Sequence, residues 1–121
     1  KERVLGIIIN EEAKAYKFDK SASNNKVIGD SFQGTKLVVV KNVDANFMVA
    51  FKRELADETE LSFDVVQDEL PVILKDNEGT KWDVSGRGVS GPRQGEQLLT
   101  VPQMMGYWFS FAAFYPDIEI N

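Results

Sequence analysis

Apolar residues along most of the chain follow the two-residue period of β-strands, in short runs separated by polar turn residues. Residues 4–9 form a β-branched apolar run, which is typical of a buried strand. After a polar break, residues 13–19 place Tyr16 and Phe18 in alternation with charged residues. The two segments predict a first β-hairpin, and the polar residues 21–25 predict the loop that follows it.

The same period continues through the middle of the chain and predicts a series of further strands. Their expected ranges are 27–32, 36–41, 47–52, 61–66, 71–75, 80–84 and 96–100. Between them, the polar stretch 54–60 has room for one helical turn, and 76–79 is a hairpin connection with a glycine available for positive φ. The apolar sides of these strands predict a core that contains Tyr16, Phe18, Leu37, Val39, Phe47, Phe51 and Phe63.

Residues 102–115 follow a helical pattern instead. Met104, Trp108, Phe111 and Tyr115 lie at i, i+4, i+7 and i+11 spacing, and apolar neighbours widen the stripe. A proline at the start of this segment is tolerated in the first turn of a helix. The pattern predicts one helix that is buried on most sides, with Trp108 in the core.

Many short strands followed by one helix favour a mainly β fold. We expect a β-barrel or sandwich of short antiparallel strands with one buried C-terminal helix, which is α+β by strict count. The 121 residues fit one domain, and the opening Lys1-Glu2-Arg3 without Met indicates an excised or processed part of a longer chain. The longest apolar stretch is shorter than the ~20 residues of a membrane helix, so we expect no membrane insertion.

Two residue types are missing, and this narrows the possible chemistry. The chain contains no Cys and no His, which excludes disulfides, Ser-His-Asp triads, His-bound zinc and cysteine-ligated metals within it. We therefore expect no metal site and no cofactor. The net charge of −5, without a basic face, predicts that the domain does not bind nucleic acid.

The glycine-rich segment 86–93 is the candidate binding loop. Arg87 and Arg93 either pair with a small anionic ligand or are solvated loop charges. Trp82, beside Asp83, is either a stacking platform for a ligand or a core tryptophan. The segment lacks the strand-then-helix context of a dinucleotide site, and the acidic residues mark neither a glycosidase pair nor a calcium loop.

A series of short motifs runs through the chain, and in chain order they are Val4-Leu-Gly, Glu12-Ala-Lys-Ala-Tyr16, Phe32-Gln-Gly34, Val49-Ala-Phe51-Lys-Arg53, Leu61-Ser-Phe63, Leu74-Lys-Asp, Gly79-Thr-Lys-Trp82, Gly86-Arg-Gly-Val-Ser-Gly-Pro92, Trp108-Phe and Ala113-Phe114-Tyr-Pro116-Asp117. In these motifs the chain resembles the prokaryotic family known as domain of unknown function 3179, and the resemblance covers nearly its whole length. The family carries no assigned activity, so the resemblance implies a scaffold and not a mechanism.

The chain departs from the fuller members of that family at two segments. Those members carry His-Glu-x-x-Asn-Asp before the central strand and Cys-Pro-x-Cys after it, residues suited to metal or redox chemistry. Here the first segment reads Asn25-Lys-Val-Ile-Gly-Asp30, which keeps only Asp30, and the second reads Asn42-Val-Asp-Ala45. The resemblance therefore implies a copy without the Cys and His set, of the kind that occurs beside a complete copy in tandem relatives.

Two classes of function follow from these observations. The first is a non-catalytic β-rich binding or structural module, which includes a domain that packs against a sister domain of the same chain. The alternative is a hydrolase-type enzyme that uses carboxylates and arginines around 82–93. We assign no catalytic residue, and the candidate ligand-binding residues are Asp30, Trp82, Asp83, Arg87 and Arg93. An exposed apolar patch of more than a few hundred Å² would favour the sister-domain arrangement.

Overall fold

Three β-sheets and one short helix make up residues 2–18 and 25–121, which are the residues that the computed structural model describes. In chain order the elements are β1 (Arg3–Ile9), β2 (Glu12–Lys17), β3 (Lys26–Phe32), β4 (Thr35–Asn42), β5 (Phe47–Lys52), β6 (Phe63–Val65), β7 (Val72–Asp76), β8 (Lys81–Asp83), β9 (Gly88–Ser90), β10 (Gln103–Tyr107), α1 (Trp108–Phe114) and β11 (Glu119–Ile120). The predicted end of the second strand at Asp19 and residues 21–24 of the predicted loop at 21–25 lie outside the described residues.

The first sheet contains the predicted N-terminal hairpin. Its strand order is β10-β1-β2-β11, with β11 parallel to β2 and the other pairs antiparallel. Asn10 and Glu11 form the two-residue turn of the hairpin, and both have positive φ, at 52° and 65°. Such a turn matches the right-handed twist of the strands that it connects.

The second sheet is the middle layer of the molecule, with the order β3-β4-β5. The four apolar residues 37–40 of β4 are all buried. Because successive side chains of a strand point to opposite faces, Leu37 and Val39 pack against the first sheet while Val38 and Val40 pack against the third. A continuous apolar run is the expected sequence of a strand that is buried on both faces.

The third sheet has the order β6-β7-β8-β9 and closes the opposite side of the molecule. Between it and the second sheet lies a core that includes Phe51, Ile73, Leu74 and Trp82, all of them buried. The prediction of a hairpin across 76–79 is confirmed by the antiparallel pairing of β7 with β8. Three stacked sheets thus enclose two hydrophobic cores.

The prediction of a helix over 102–115 is wrong for its first half. Gln103–Tyr107 forms β10, which pairs with β1 from Arg3 opposite Tyr107 to Ile7 opposite Gln103. The side-chain amide of Gln103 also bonds to the backbone N–H and C=O of Ala50, each at 2.8 Å. The hydrogen-bonding edge of β1 therefore decides the conformation of this segment, and tertiary context overrides the local helical pattern.

The helix itself is shorter and more exposed than predicted. Phe111 is its buried residue, and Trp108, expected in the core, is only half-buried. Of the other predicted core residues, Phe47 and Phe63 are also half-buried. The remaining ones are buried, namely Tyr16, Phe18, Leu37, Val39 and Phe51.

Two short segments also differ from their predicted structure. The stretch 54–60 contains turns and a bridge between Glu54 and Glu60, and not a helical turn. The predicted strand at 96–100 is reduced to a single bridge between Gln97 and Arg87. Each segment nevertheless contributes one buried leucine, Leu55 and Leu98, to the core between the second and third sheets.

The prediction of a mainly β chain with one C-terminal helix is confirmed. Within the described residues the strands form three separate sheets rather than one closed barrel. In the same part of the chain, no helix is long and apolar enough to cross a membrane.

Candidate functional site

Asp30, on β3, joins the second sheet to the first. Its Oδ2 accepts hydrogen bonds from Lys14 Nζ and the Tyr16 hydroxyl, both at 2.6 Å, and its Oδ1 accepts one from the Ser31 backbone N–H at 2.8 Å. Although partial burial opposes ionisation, the bonds from Lys14 and Tyr16 hold the pKa of Asp30 below its ordinary value. Burial, and then the bond to Asp30, raises the pKa of Tyr16 well above the ordinary one. Asp30 is therefore an ionised anchor between sheets.

Asp83 closes the turn that opens the glycine-rich loop. Its Oδ1 accepts hydrogen bonds from the Ser85 backbone N–H at 2.9 Å, the Ser85 hydroxyl at 2.7 Å and the Arg87 backbone N–H at 3.0 Å. Partial burial opposes ionisation, yet these bonds keep the pKa of Asp83 below its ordinary value. Arg87 itself is exposed. Asp83 thus shapes the loop with its carboxylate.

Arg93 is held by three carboxylates. Its Nε donates to Glu78 at 2.7 Å, and its Nη1 donates to Glu96 at 3.1 Å and to Asp57 at 3.3 Å. The bond to Glu78 contributes most to the raised pKa of Arg93. An anionic ligand at Arg93 would therefore have to compete with carboxylates that already satisfy most of its donors.

Trp82 is a core residue. Its side chain is fully buried, and its Nε1–H donates to Asp76 Oδ2 at 2.9 Å. Asp76 is buried as well, and its Oδ1 accepts the backbone N–H groups of Glu78 at 2.8 Å and Thr80 at 3.0 Å. The ring of Trp82 thus has no exposed face on which a ligand can stack, so the structure agrees with the core alternative.

The five candidate residues do not come together in one site. Asp30 bonds to the first sheet, while Trp82, Asp83, Arg87 and Arg93 belong to the third sheet and its loop. Among the residues with a described structure, no group of three or more acidic side chains is placed to hold a metal ion.

A different feature, an apolar groove, lies on the outer face of the first sheet beside β10, β1 and α1. We call it the C-terminal groove, and its volume is about 480 Å³. The residues that line it are Ile8, Met104, Gly106, Tyr107, Ser110, Phe111, Phe114 and Tyr115. The first sheet is therefore apolar on both faces, since its inner face packs against the second sheet.

Two glycines allow α1 to lie close to this outer face. The ring of Phe111 packs directly on the backbone of β1 at Gly6 and of β10 at Gly106. A Cβ at Gly6 would overlap the ring, and a Cβ at Gly106 would come within 3.0 Å of it. Val4 and Ala15 complete the small apolar cluster under this ring. Phe111 thus anchors the helix, while the rest of the helix leaves part of the sheet face open.

The large apolar side chains around the groove are strongly exposed. Phe114 is 82% exposed, Met104 63% and Phe109 61%. Phe109 stacks on the ring of Tyr107, with centroids 6.1 Å apart and planes 11° from parallel. Contiguous exposed apolar surface of this kind is unusual on a monomeric soluble domain and is typical of an interaction surface.

Comparison with protein families decides the kinship of the chain. Residues 1–118 match the model of the family described as Protein of unknown function (DUF3179). The chain belongs to this family. The resemblance predicted from the motifs is therefore confirmed over nearly the whole chain. Comparisons with the curated proteins and with the solved structures find no match.

For this member of the DUF3179 family, sequence reasoning missed the C-terminal groove. The helical pattern predicts one buried helix over the residues of β10 and α1, and this prediction places their exposed side chains in a core. The useful signal was the pair of glycines, one inside the apolar run 4–9 and one at 106. Glycine within a strand often marks the close approach of another group, here the ring of Phe111.

Proposed function

We propose that this domain is a non-catalytic interaction module whose C-terminal groove docks an apolar segment of a protein, on a sister domain or on a separate chain. The observation that carries the proposal is the half-covered outer face of the first sheet. Phe111 covers one part of that face, whereas Met104 and Phe114 beside it remain exposed. Burying them removes apolar surface from water and gives about 25 cal/mol for each Å² buried.

The bonding of the candidate polar residues favours this function over the hydrolase alternative. Asp30 and Asp83 each accept three hydrogen bonds that hold the framework. Catalytic carboxylates are more often recognised in a concave site by a pKa shifted toward neutrality, and here both pKa values are lowered. A small anionic ligand at Arg93 is disfavoured for the reason given above.

Site-specific photo-crosslinking in the cells that produce the protein tests the proposal. A photoreactive phenylalanine analogue is placed at position 114 and, in separate variants, at 109 and at the control position 89, where Val89 is an exposed residue of the third sheet. We expect a protein adduct of one defined mass from 114 and 109 and none from 89. The adducted protein is then purified, and its affinity for the parent and for Phe114→Ser is measured.

The affinity measurement decides the outcome. Because Phe114 is largely exposed, Phe114→Ser should change the free energy of unfolding by less than about 0.5 kcal/mol, so weaker binding reports on the groove and not on folding. Val89→Ser is the matched control and should bind like the parent. Adducts from 89 alone, or equal affinity for the parent and Phe114→Ser, contradict the proposal.

A further inference from the structure

A second hollow with an acidic lining adjoins the C-terminal groove. This hollow of about 200 Å³ shares Phe114 and Tyr115 with the groove. The residues that line it include Glu11, Glu12 and Asp117, and we call these three acidic residues the acidic rim. The apolar surface and the acidic rim therefore lie next to each other, on either side of Phe114 and Tyr115.

The fold brings the acidic rim together from two separate places in the chain. Glu11 and Glu12 lie at the turn between β1 and β2, where Glu11 adopts a positive φ of 65°. Asp117 follows the end of α1, in a turn closed by the hydrogen bond from the Ile118 N–H to the Tyr115 carbonyl at 3.0 Å. Because α1 lies on β1 through Phe111, its end is held against the β1–β2 turn.

The three rim carboxylates carry charge without a partner in the described part of the chain. None of them has a side-chain hydrogen bond or ion pair there, in contrast to Glu119 nearby, which pairs with Lys14 at 3.7 Å. Like charges held close together repel one another, and a cation placed among them is attracted. The attraction grows when an apolar contact next to it excludes water.

We propose that the segment docked in the C-terminal groove carries lysine or arginine residues that lie against the acidic rim, next to the apolar side chains that fill the groove. This inference rests on the proposed function, because it concerns the occupant of the same groove. Charge complementarity of this kind fixes the orientation of a bound segment and rejects partners of the wrong charge. The occupant is therefore an apolar and basic protein segment.

Two other occupants fit the charges less well. A second copy of this chain has a net charge of −5 and presents the same acidic rim, so its approach is opposed by repulsion. An anionic lipid surface is repelled for the same reason. Both remain as outcomes of the experiment, and either would overturn the inference.

Selection from a random library of displayed peptides tests the charge of the occupant without a known partner. The parent domain is the target, and peptides that also bind Phe114→Ser are removed. We expect the enriched sequences to combine aromatic or aliphatic residues with adjacent Lys or Arg. Enriched sequences without basic residues overturn the inference but leave the proposed function standing, because they still depend on Phe114. If no peptide is enriched over Phe114→Ser, the proposed function fails as well.

Charge removal at the acidic rim gives a second, quantitative measurement with the enriched peptide as the probe. In the triple variant Glu11→Gln, Glu12→Gln and Asp117→Asn we expect about tenfold weaker binding at low ionic strength, and a smaller effect of added salt. The matched control removes three exposed acidic groups elsewhere, in Glu58→Gln, Asp64→Asn and Asp68→Asn. The control has the same net charge as the rim variant.

The two triple variants separate a local effect from a general one. Weaker binding by the rim variant alone supports the inference. Equal affinity of both variants and the parent, or an equal loss in both variants, overturns it. Two further measurements are made on the parent. One is its sedimentation with vesicles that contain anionic lipid, and the other is its dimerisation at the concentrations of the binding experiment. Either association, if abolished by Phe114→Ser, replaces the proposed occupant with a membrane or with a second copy.

Discussion

Buried or half-buried polar residues hold this domain together, both between two sheets and within one. Asp30 on the second sheet holds Lys14 and Tyr16 of the first. Asp76 holds the indole N–H of Trp82 within the third sheet. A buried polar group that keeps its hydrogen-bond partners destabilises the folded state little, whereas removal of one partner leaves the other without a hydrogen bond and lowers stability. These residues therefore act in stability, and their substitution should be visible in unfolding experiments.

The two tryptophans should differ in their contribution to stability. Trp82 is fully buried and Trp108 is half-buried, so Trp82→Ala leaves the larger cavity. We expect Trp82→Ala to lower the free energy of unfolding by about 3–5 kcal/mol and Trp108→Ala to lower it by about half as much. Denaturant unfolding measures both values. A larger loss for Trp108→Ala would show that the helix, and not the third sheet, covers the main core.

The ion pair of Asp30 should make stability depend on pH. The pKa of Asp30 in the folded state is below the ordinary value of 3.8. The ionised carboxylate therefore stabilises the fold above pH 3.8. This stabilisation is lost as the pH falls through the pKa of the folded state. Between about pH 5 and pH 2 we expect the parent to lose more stability than Asp30→Asn. Urea midpoints across this range give the slopes. Asp64→Asn, at an exposed position of β6, should keep the slope of the parent, and equal slopes for all three would contradict the role of Asp30.

At the scale of elements, strands with strong local patterns could be predicted, and those decided by a distant partner could not. The apolar run of β4 and the turn residues between β7 and β8 specify these strands by themselves. The segment Gln103–Tyr107 has a helical pattern, yet it becomes a strand because β1 offers it a pairing edge. The groove depends on how β10, β1 and α1 are arranged, and for that reason no local pattern reveals it.

Gly6 should be the residue that permits α1 to pack on the first sheet. A Cβ at this position overlaps the ring of Phe111, so Gly6→Ala must displace the ring and with it the helix. We expect a loss of about 1–3 kcal/mol in the free energy of unfolding, the cost of overpacking, and a change in Trp108 fluorescence. At Gly29 a Cβ meets open space, so Gly29→Ala is the control and should be neutral or slightly stabilising. A neutral Gly6→Ala would contradict the described packing.

At the scale of the whole molecule, three sheets form a stack whose outer faces are unequal. The two inner spaces are filled by hydrophobic cores. On the outer side of the first sheet, α1 covers one part, and the C-terminal groove with its acidic rim lies beside it. The proposed function places the partner on this face, whereas the sequence pattern predicts a binding site at the glycine-rich loop of the third sheet.

The proposed function requires partner binding at the C-terminal groove. Its most direct test is a titration of the isotope-labelled domain with the enriched peptide, followed residue by residue through the amide signals in two-dimensional NMR. We predict that the signals that shift are those of β10, α1, the β1–β2 turn and the residues just after the helix. The same peptide should leave the amide signals of Phe114→Ser unchanged. Shifts that cluster instead at 83–93, around Arg87 and Arg93, would contradict the proposed function and return the binding site to the glycine-rich loop.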